Sequence, residues 1–187
     1  MPLVAVDLQV IPTMRLKDLS SLISDSGITR YHLEAKVYDL FSVNVEEPYK
    51  YFPEGIHIER FDSLFQVEGS IVADTAYHFE KKNLWHAIGN VVAKNMQGRT
   101  FETSELFWDT KVPPNTVGAL YTHQFVKITE PDGTYIDGIN GFVADQSLNI
   151  VRLYGNAGNF FIEETDEQAT DTLLQSSVDI DSISLHE

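Results

Sequence analysis

One short pattern recurs along this chain and restricts its folds more than any other feature. A large apolar residue, a spacer and a small residue are followed a few positions later by an aromatic segment. Leu33-Glu34-Ala35 precedes Tyr38, and Ile71-Val72-Ala73 precedes Tyr77 to Phe79. Phe101-Glu102-Thr103 precedes Phe107-Trp108, and Ile136-Asp137-Gly138 precedes Phe142. The leading residues at 33, 71, 101 and 136 give a loose period of roughly 30 to 40 residues, the range of repeat architectures. Each copy reads as a strand, a tight turn and a returning strand, too short to bury its own apolar face. Stacked copies bury one together, so the pattern predicts continuous β-structure with a shared interior.

The rest of the chain agrees with an all-β reading. Residues 1–18, with Pro2 and Pro12, read as an extended lead-in, and Leu19 to Ile23 as a short first strand. Ile28 to Phe41 alternates and is expected as a half-buried strand, although its Leu, Glu, Ala and Lys content also suits a helix. Val43 to Pro53 reads as a loop. Ile56 to Glu59 and Leu64 to Ile71 read as strands, as does Leu120 to Thr129. Hairpin turns are expected at Glu80 to Asn83, Met96 to Arg99, Asp132-Gly133 and Asn156 to Asn159. About ten or more short strands with no confident helix predict a sandwich, roll or open barrel over residues 19–164.

The 187 residues suffice for one domain. Thirteen basic against 28 acidic residues give a net charge of −15, which argues against a nucleic-acid backbone or an anionic membrane surface as the main partner. No Lys or Arg follows Arg152, and eight carboxylates follow it, so residues 165–187 read as an acidic tail. There is no cysteine, hence no thiolate site. The six histidines lack metal-ligand spacing. His78 and His86 flank one expected hairpin, but a pair of ordinary strand histidines explains them better than a metal site. No nucleophile elbow, phosphate loop or dinucleotide fingerprint is present, and neither an enzyme nor a cofactor is expected.

Five segments carry a resemblance to a known family: LISDSGITRYHLEA (22–35), YFPEGIHIERFD (51–62), ADTAYHFEKKNLWHAIGNV (73–91), FETSELFWD (101–109) and FVADQ (142–146). Together they resemble LptC, the periplasmic bridge component of lipopolysaccharide export, in its Bacteroidetes-like branch. The resemblance spans roughly Leu22 to Glu164. It implies an open, twisted, OstA-like β-jelly roll sheltering acyl chains in an apolar groove. Its implied partners are lipopolysaccharide, an inner-membrane ABC transporter complex and a downstream bridge subunit joined edge to edge. It also implies a periplasmic location and an N-terminal anchor ahead of this chain.

Period two places Ile71 with Ala73, Phe101 with Thr103, and Ile136 with Gly138 on one face, the small residue leaving room beside the large one. Leu84, Ile88 and Val91 are candidates for the same face, unless Gly89-Asn90 forms a bulge. These nine residues are the candidate lipid contacts. The last apolar strand, Gly158, Asn159, Phe160, Phe161, Ile162 and Glu163, is the candidate edge for a partner subunit. The rival expectation is an adhesion sandwich that binds protein or glycan through Tyr49, Tyr51 and Phe52.

Overall fold

The computed structural model of the chain describes residues 11–25, 27–155 and 158–163. Among them are fourteen strands, one 3-10 turn at Glu80–Lys82 and no α-helix. In chain order the first seven are β1 (Met14–Asp25), β2 (Ile28–Phe41), β3 (Tyr49–Phe52), β4 (Ile56–Phe61), β5 (Val67–Ala73), β6 (Thr75–Phe79) and β7 (Leu84–Asn95). The others are β8 (Thr100–Asp109), β9 (Leu120–Thr122), β10 (Val126–Thr129), β11 (Tyr135–Gly138), β12 (Phe142–Ala144), β13 (Ile150–Gly155) and β14 (Gly158–Glu163). All pair antiparallel in one continuous sheet.

Ile28–Phe41 is a strand, not a helix, and the turns at 80–83, 96–99 and 132–133 close hairpins. The expected lead-in is shorter, because β1 begins at Met14. The expected loop at Val43 to Pro53 contains β3, and Leu120 to Thr129 is two strands separated by His123 to Phe125. Leu64 to Gln66 belong to a turn ahead of β5. The turn expected at Asn156 and Ala157, and the acidic tail, lie outside the described residues.

The recurring pattern maps onto cross-strand rows. Leu33 pairs with Ile58, Ile58 with Ile71, Ile71 with Ala93, Ala93 with Phe101, Phe101 with Ile128, and Ile128 with Ile136. All four leading residues therefore stand in one row across seven strands. The small residues follow a neighbouring row: Ala35 and Ala73 both pair with Ile56, while Thr103 pairs with Val91 and Val126, and Val126 with Gly138. Directly opposed residues share a face of the sheet, so these rows build one apolar surface. Gly138 must be small, since a Cβ there would come within 2.8 Å of a Val126 methyl and 2.9 Å of a Leu153 methyl.

The second half of the pattern differs from expectation. No returning strand follows each small residue; the chain turns a corner into a second layer, within one strand in β2 and β8 and by way of a short turn from β5 into β6 and from β11 into β12. β2, β7 and β8 each serve both layers. β2 pairs with β4 through Tyr31–Ala35 and with β3 from Asp39 onward, and β7 pairs with β6 and then β5. The layers face each other: Tyr31 meets Trp108 and Phe101 meets Phe142, each at 5.3 Å between ring centroids.

The corner between β5 and β6 is made by Asp74 and the Gly89-Asn90 pair opposite it. Both have positive φ, 80° and 42°, and the ladder of β7 with β8 skips them. The Asp74 amide donates to the Gly89 carbonyl at 2.9 Å, and Asn90 Nδ2 donates to Asp74 Oδ2 at 2.7 Å. A Cβ on Gly89 would lie 2.8 Å from Asp74 Oδ2. Backbone geometry and space both exclude a branched side chain, so Gly89→Val should lower unfolding free energy by about 2–3 kcal/mol in denaturant titration. Gly155→Ala, with nothing within 4 Å of the new Cβ, should stay within about 0.5 kcal/mol.

Candidate functional site

Between the layers the structure is filled. The core joins Leu33, Ile58, Val91, Phe101 and Ile128 of one layer to Phe52, Leu106, Leu120, Phe142 and Leu153 of the other. The two voids left there measure about 20 and about 10 Å³, the scale of one water. Along one flank the layers are tied together, since Asn140 donates to the Tyr154 carbonyl at 2.9 Å and Tyr154 donates back to Gly141 at 3.0 Å. The opposite flank, under β1, stays open.

β1 runs along the whole of β2, from Met14 opposite Leu40 to Asp25 opposite Ile28. Its other edge has no strand partner among the described residues. Asp18, at φ 52°, breaks the alternation without shifting the pairing, so Met14, Leu16, Leu19, Ser21 and Ile23 all reach the inner side. Beneath them is a cleft of about 400 Å³ floored by Leu33, Tyr38, Phe52 and Trp85, with Lys50 and His78 at its rim. That volume falls in the ~300–1,000 Å³ range of small-molecule sites.

On its outer side β1 is held by polar contacts. Arg15 binds Asp39 bidentately at 2.6 Å, and Ser20 Oγ meets His32 Nε2 at 2.9 Å. The hydrogen bond and charge of Asp39 raise the Arg15 pKa, so the guanidinium is charged throughout the working pH range. At the rim Lys50 Nζ lies 2.5 Å from Glu80 Oε1, and this bond holds the Glu80 carboxyl below its usual range. His78 stacks on Trp85 at 4.2 Å between centroids, nearly coplanar. Burial, reinforced by Lys50, pushes its pKa down to about 4. The cleft wall is thus neutral at pH 7, with one closed ion pair beside it.

The expected lipid contacts divide three ways. Ala73, Val91, Phe101, Thr103 and Gly138 are buried between the layers, Phe101 at 1% exposure, and Ile71 borders both small voids. Ile136 stands exposed on the end strand β11. Leu84 and Ile88 lie on the outer side and do not share a face with Val91: they differ from it in parity, and the Gly89-Asn90 bulge, two residues opposite the single Ser104, leaves the phase of β7 unchanged. His78 and His86 also lie on opposite faces, His78 on Trp85 and His86 against Phe107 at 4.3 Å, so they do not form a metal pair. Of the aromatics expected on an adhesive surface, Phe52 is buried in the cleft floor, and Tyr49 and Tyr51 are half-buried. The edge candidate Gly158–Glu163 is strand β14, paired to β13 alone among the described residues.

Sequence reasoning missed the cleft-lining residues of β1. Their signal is present: Met14 and Leu16 alternate with Arg15 and Lys17, and Leu19, Ser21 and Ile23 resume the alternation after a one-residue change of phase. Asp18 at that break hides a twelve-residue strand from a strict period-two test.

No protein-family model and no curated protein matches the chain.

His78 gives a pH test. The unfolded chain binds its proton near 6.5 and the folded chain near 4, so below 6.5 the unfolded state takes up more protons. Stability contributed by His78 is present above pH 6.5 and is lost as pH falls through 4. His78→Phe, which keeps a ring on Trp85, should show a shallower loss of unfolding free energy between pH 6.5 and 4 than the wild type. Parallel denaturant titrations across that window measure it.

Proposed function

We propose that the chain is a lipid-carrying module of the LptC type, with an open β-jelly roll as its fold. The observation that carries this reading is the apolar cleft under β1, whose one wall is a strand with no partner on its outer edge among the described residues. Each methylene enclosed gains about 0.8 kcal/mol, so a fully buried twelve-to-fourteen-carbon chain gains about 10 kcal/mol. A cleft open along its length buries only part of such a chain, which keeps transfer reversible. The resemblance of segments 22–35, 51–62, 73–91 and 101–109 to LptC supports lipopolysaccharide as the cargo. On this reading the chain works in the periplasm, receives lipid from an inner-membrane ABC transporter complex, and passes it to a bridge subunit docked on β14. It performs no chemical step.

A glycan-binding surface is the rival. Tyr51, Tyr77, His86, Phe107 and Tyr121 do form one cross-strand row on the outer face. Their rings stack on one another, with interplanar angles of 20° for Tyr51–Tyr77, 13° for His86–Phe107 and 15° for Phe107–Tyr121. Faces used in that ladder are not free to receive sugar rings, and this favours the lipid reading.

A photo-crosslinking residue at Leu16 or Ile23 should capture lipopolysaccharide in cells. The same residue at Lys17 on the outer side, or at Phe101 inside the packed core, should not. Labelling at Lys17 equal to that at Leu16 would remove the cleft from the account.

A further inference from the structure

Four hairpin tips meet at one end of the molecule. The register joins the β1–β2, β4–β5, β7–β8 and β10–β11 turns through Asp25↔Ile28, Phe61↔Val67, Lys94↔Thr100 and Thr129↔Tyr135. Each tip carries exposed apolar side chains: Ile28, Leu64 with Phe65, Met96, and Tyr135. The β4–β5 tip goes furthest, with Leu64 at 78% and Phe65 at 57% exposure. Its shape is fixed. Asp62 Oδ1 accepts the Leu64 and Gln66 amides at 2.8 Å each, and Phe65 holds φ at 61°, a region costly for an aromatic residue. Phe65 also stacks on Phe61 at 4.4 Å. A rigid turn that turns its two largest apolar side chains toward solvent is shaped for contact.

Directly behind that turn lies a cleft of about 620 Å³, lined by Arg30, Arg60 and Lys111, with Asp62 and Glu68. Both carboxylates are engaged: Asp62 caps the turn, and Glu68 lies 3.0 Å from Arg60 Nη2. Arg60 Nε is buried without a hydrogen-bond partner, and neither Arg30 nor Lys111 has a carboxylate partner among the described residues. A chain of net charge −15 thus keeps three of its thirteen cations around one cleft, next to its most exposed apolar turn.

We propose that this end docks on a phospholipid bilayer. Leu64 and Phe65 enter the boundary between headgroups and acyl chains, and the Arg30–Arg60–Lys111 cleft receives a headgroup phosphate. Apolar prongs on separate hairpins suit a fluid surface better than a rigid protein face, because each can insert independently. The strongly negative whole chain gains no long-range attraction to an anionic membrane, so recognition rests on contact with the phosphate itself. This docking is separate from the cleft under β1 and stands whether or not that cleft carries lipid.

The test is sedimentation of the full chain with vesicles of phosphatidylcholine, which holds a phosphate but no net charge, and of digalactosyldiacylglycerol, which holds neither. The wild type should bind the former several-fold more strongly. The double variant Leu64→Asp, Phe65→Asp should lose at least about tenfold of the binding to both while remaining folded, its melting temperature lowered only by the loss of the Phe61–Phe65 stack. Arg30→Gln with Lys111→Gln should retain binding but lose the preference for phosphate. Because the chain has no cysteine, Leu64→Cys labelled with an environment-sensitive dye should shift to the blue on phosphatidylcholine vesicles. The proposal is overturned if the wild type sediments with neither vesicle, or if the Asp variant binds as well as the wild type. Self-association that this variant abolishes, in place of vesicle binding, overturns it in favour of a second copy of the chain.

Discussion

A strand that serves two layers must bend sharply while keeping its apolar residues inward, and the architecture depends on how β2, β7 and β8 do so. Alternation by twos keeps a side chain on its own side of the sheet for as long as the strand is regular. On β7 the inward set is Trp85 and Ala87, then Val91, Ala93 and Asn95, all in one phase; Gly89-Asn90 bends the strand without changing it. On β8 the set is Phe101 and Thr103, then Leu106 and Trp108, with Ser104 left out of the ladder opposite the same bulge. Without the change of phase at Ser104, Leu106 and Trp108 of β8 would face water. Asp74 binds the bulge from the neighbouring strand, so one polar side chain secures the corner for both β7 and its neighbours.

Once the layers fold over each other, their two flanks differ in kind. One is tied by backbone hydrogen bonds between the Asn140-Gly141 turn and Tyr154, with Gly138 small enough for Leu153 to pack close. The other is covered by β1, whose inward Met14, Leu16 and Ile23 remain about two-fifths exposed. β1 owes its place to the ladder with β2, Arg15–Asp39 and Ser20–His32, not to packing beneath it. An element with few buried apolar contacts sits at the low end of local stability. The flank that opens is therefore the one lined by apolar side chains.

The large-spacer-small pattern was legible as one surface because directly opposed residues share a face, and the register places 33, 71, 101 and 136 in a single row. What followed each copy was not legible. A corner within a continuing strand and a tight turn between two strands use the same Gly, Asn and Asp residues, and only long-range pairing separates them. A second repeat, Ile71-Val72-Ala73-Asp74 and Phe142-Val143-Ala144-Asp145, marks strand ends more closely. Each Ala is buried, and each Asp folds back, on Asn90 in one copy and on the Asn149 and Ile150 amides at 2.9 Å in the other. The cleft itself was hidden for a different reason. Its floor comes from β2, β3 and β7, far apart in sequence, and its wall from a strand whose alternation breaks at Asp18.

The outer ladder of aromatic rings gives the two walls of that cleft different stiffness. Tyr51, Tyr77, His86, Phe107 and Tyr121 stack across five strands on the face opposite Phe52 and Trp85, and a hydrogen bond between His86 Nε2 and Glu105 Oε1 at 2.6 Å ties β7 to β8 within it. Cross-strand aromatic pairs each add about 0.2–1 kcal/mol, so the ladder resists separation of the strands that form the floor. β1 has no such ladder. On the proposed lipid-carrier reading, an apolar ligand entering the cleft would strain the weakly packed wall while the floor kept its shape, and release would need only that β1 move back. A rigid floor under a yielding strap within one sheet is the arrangement that reading requires.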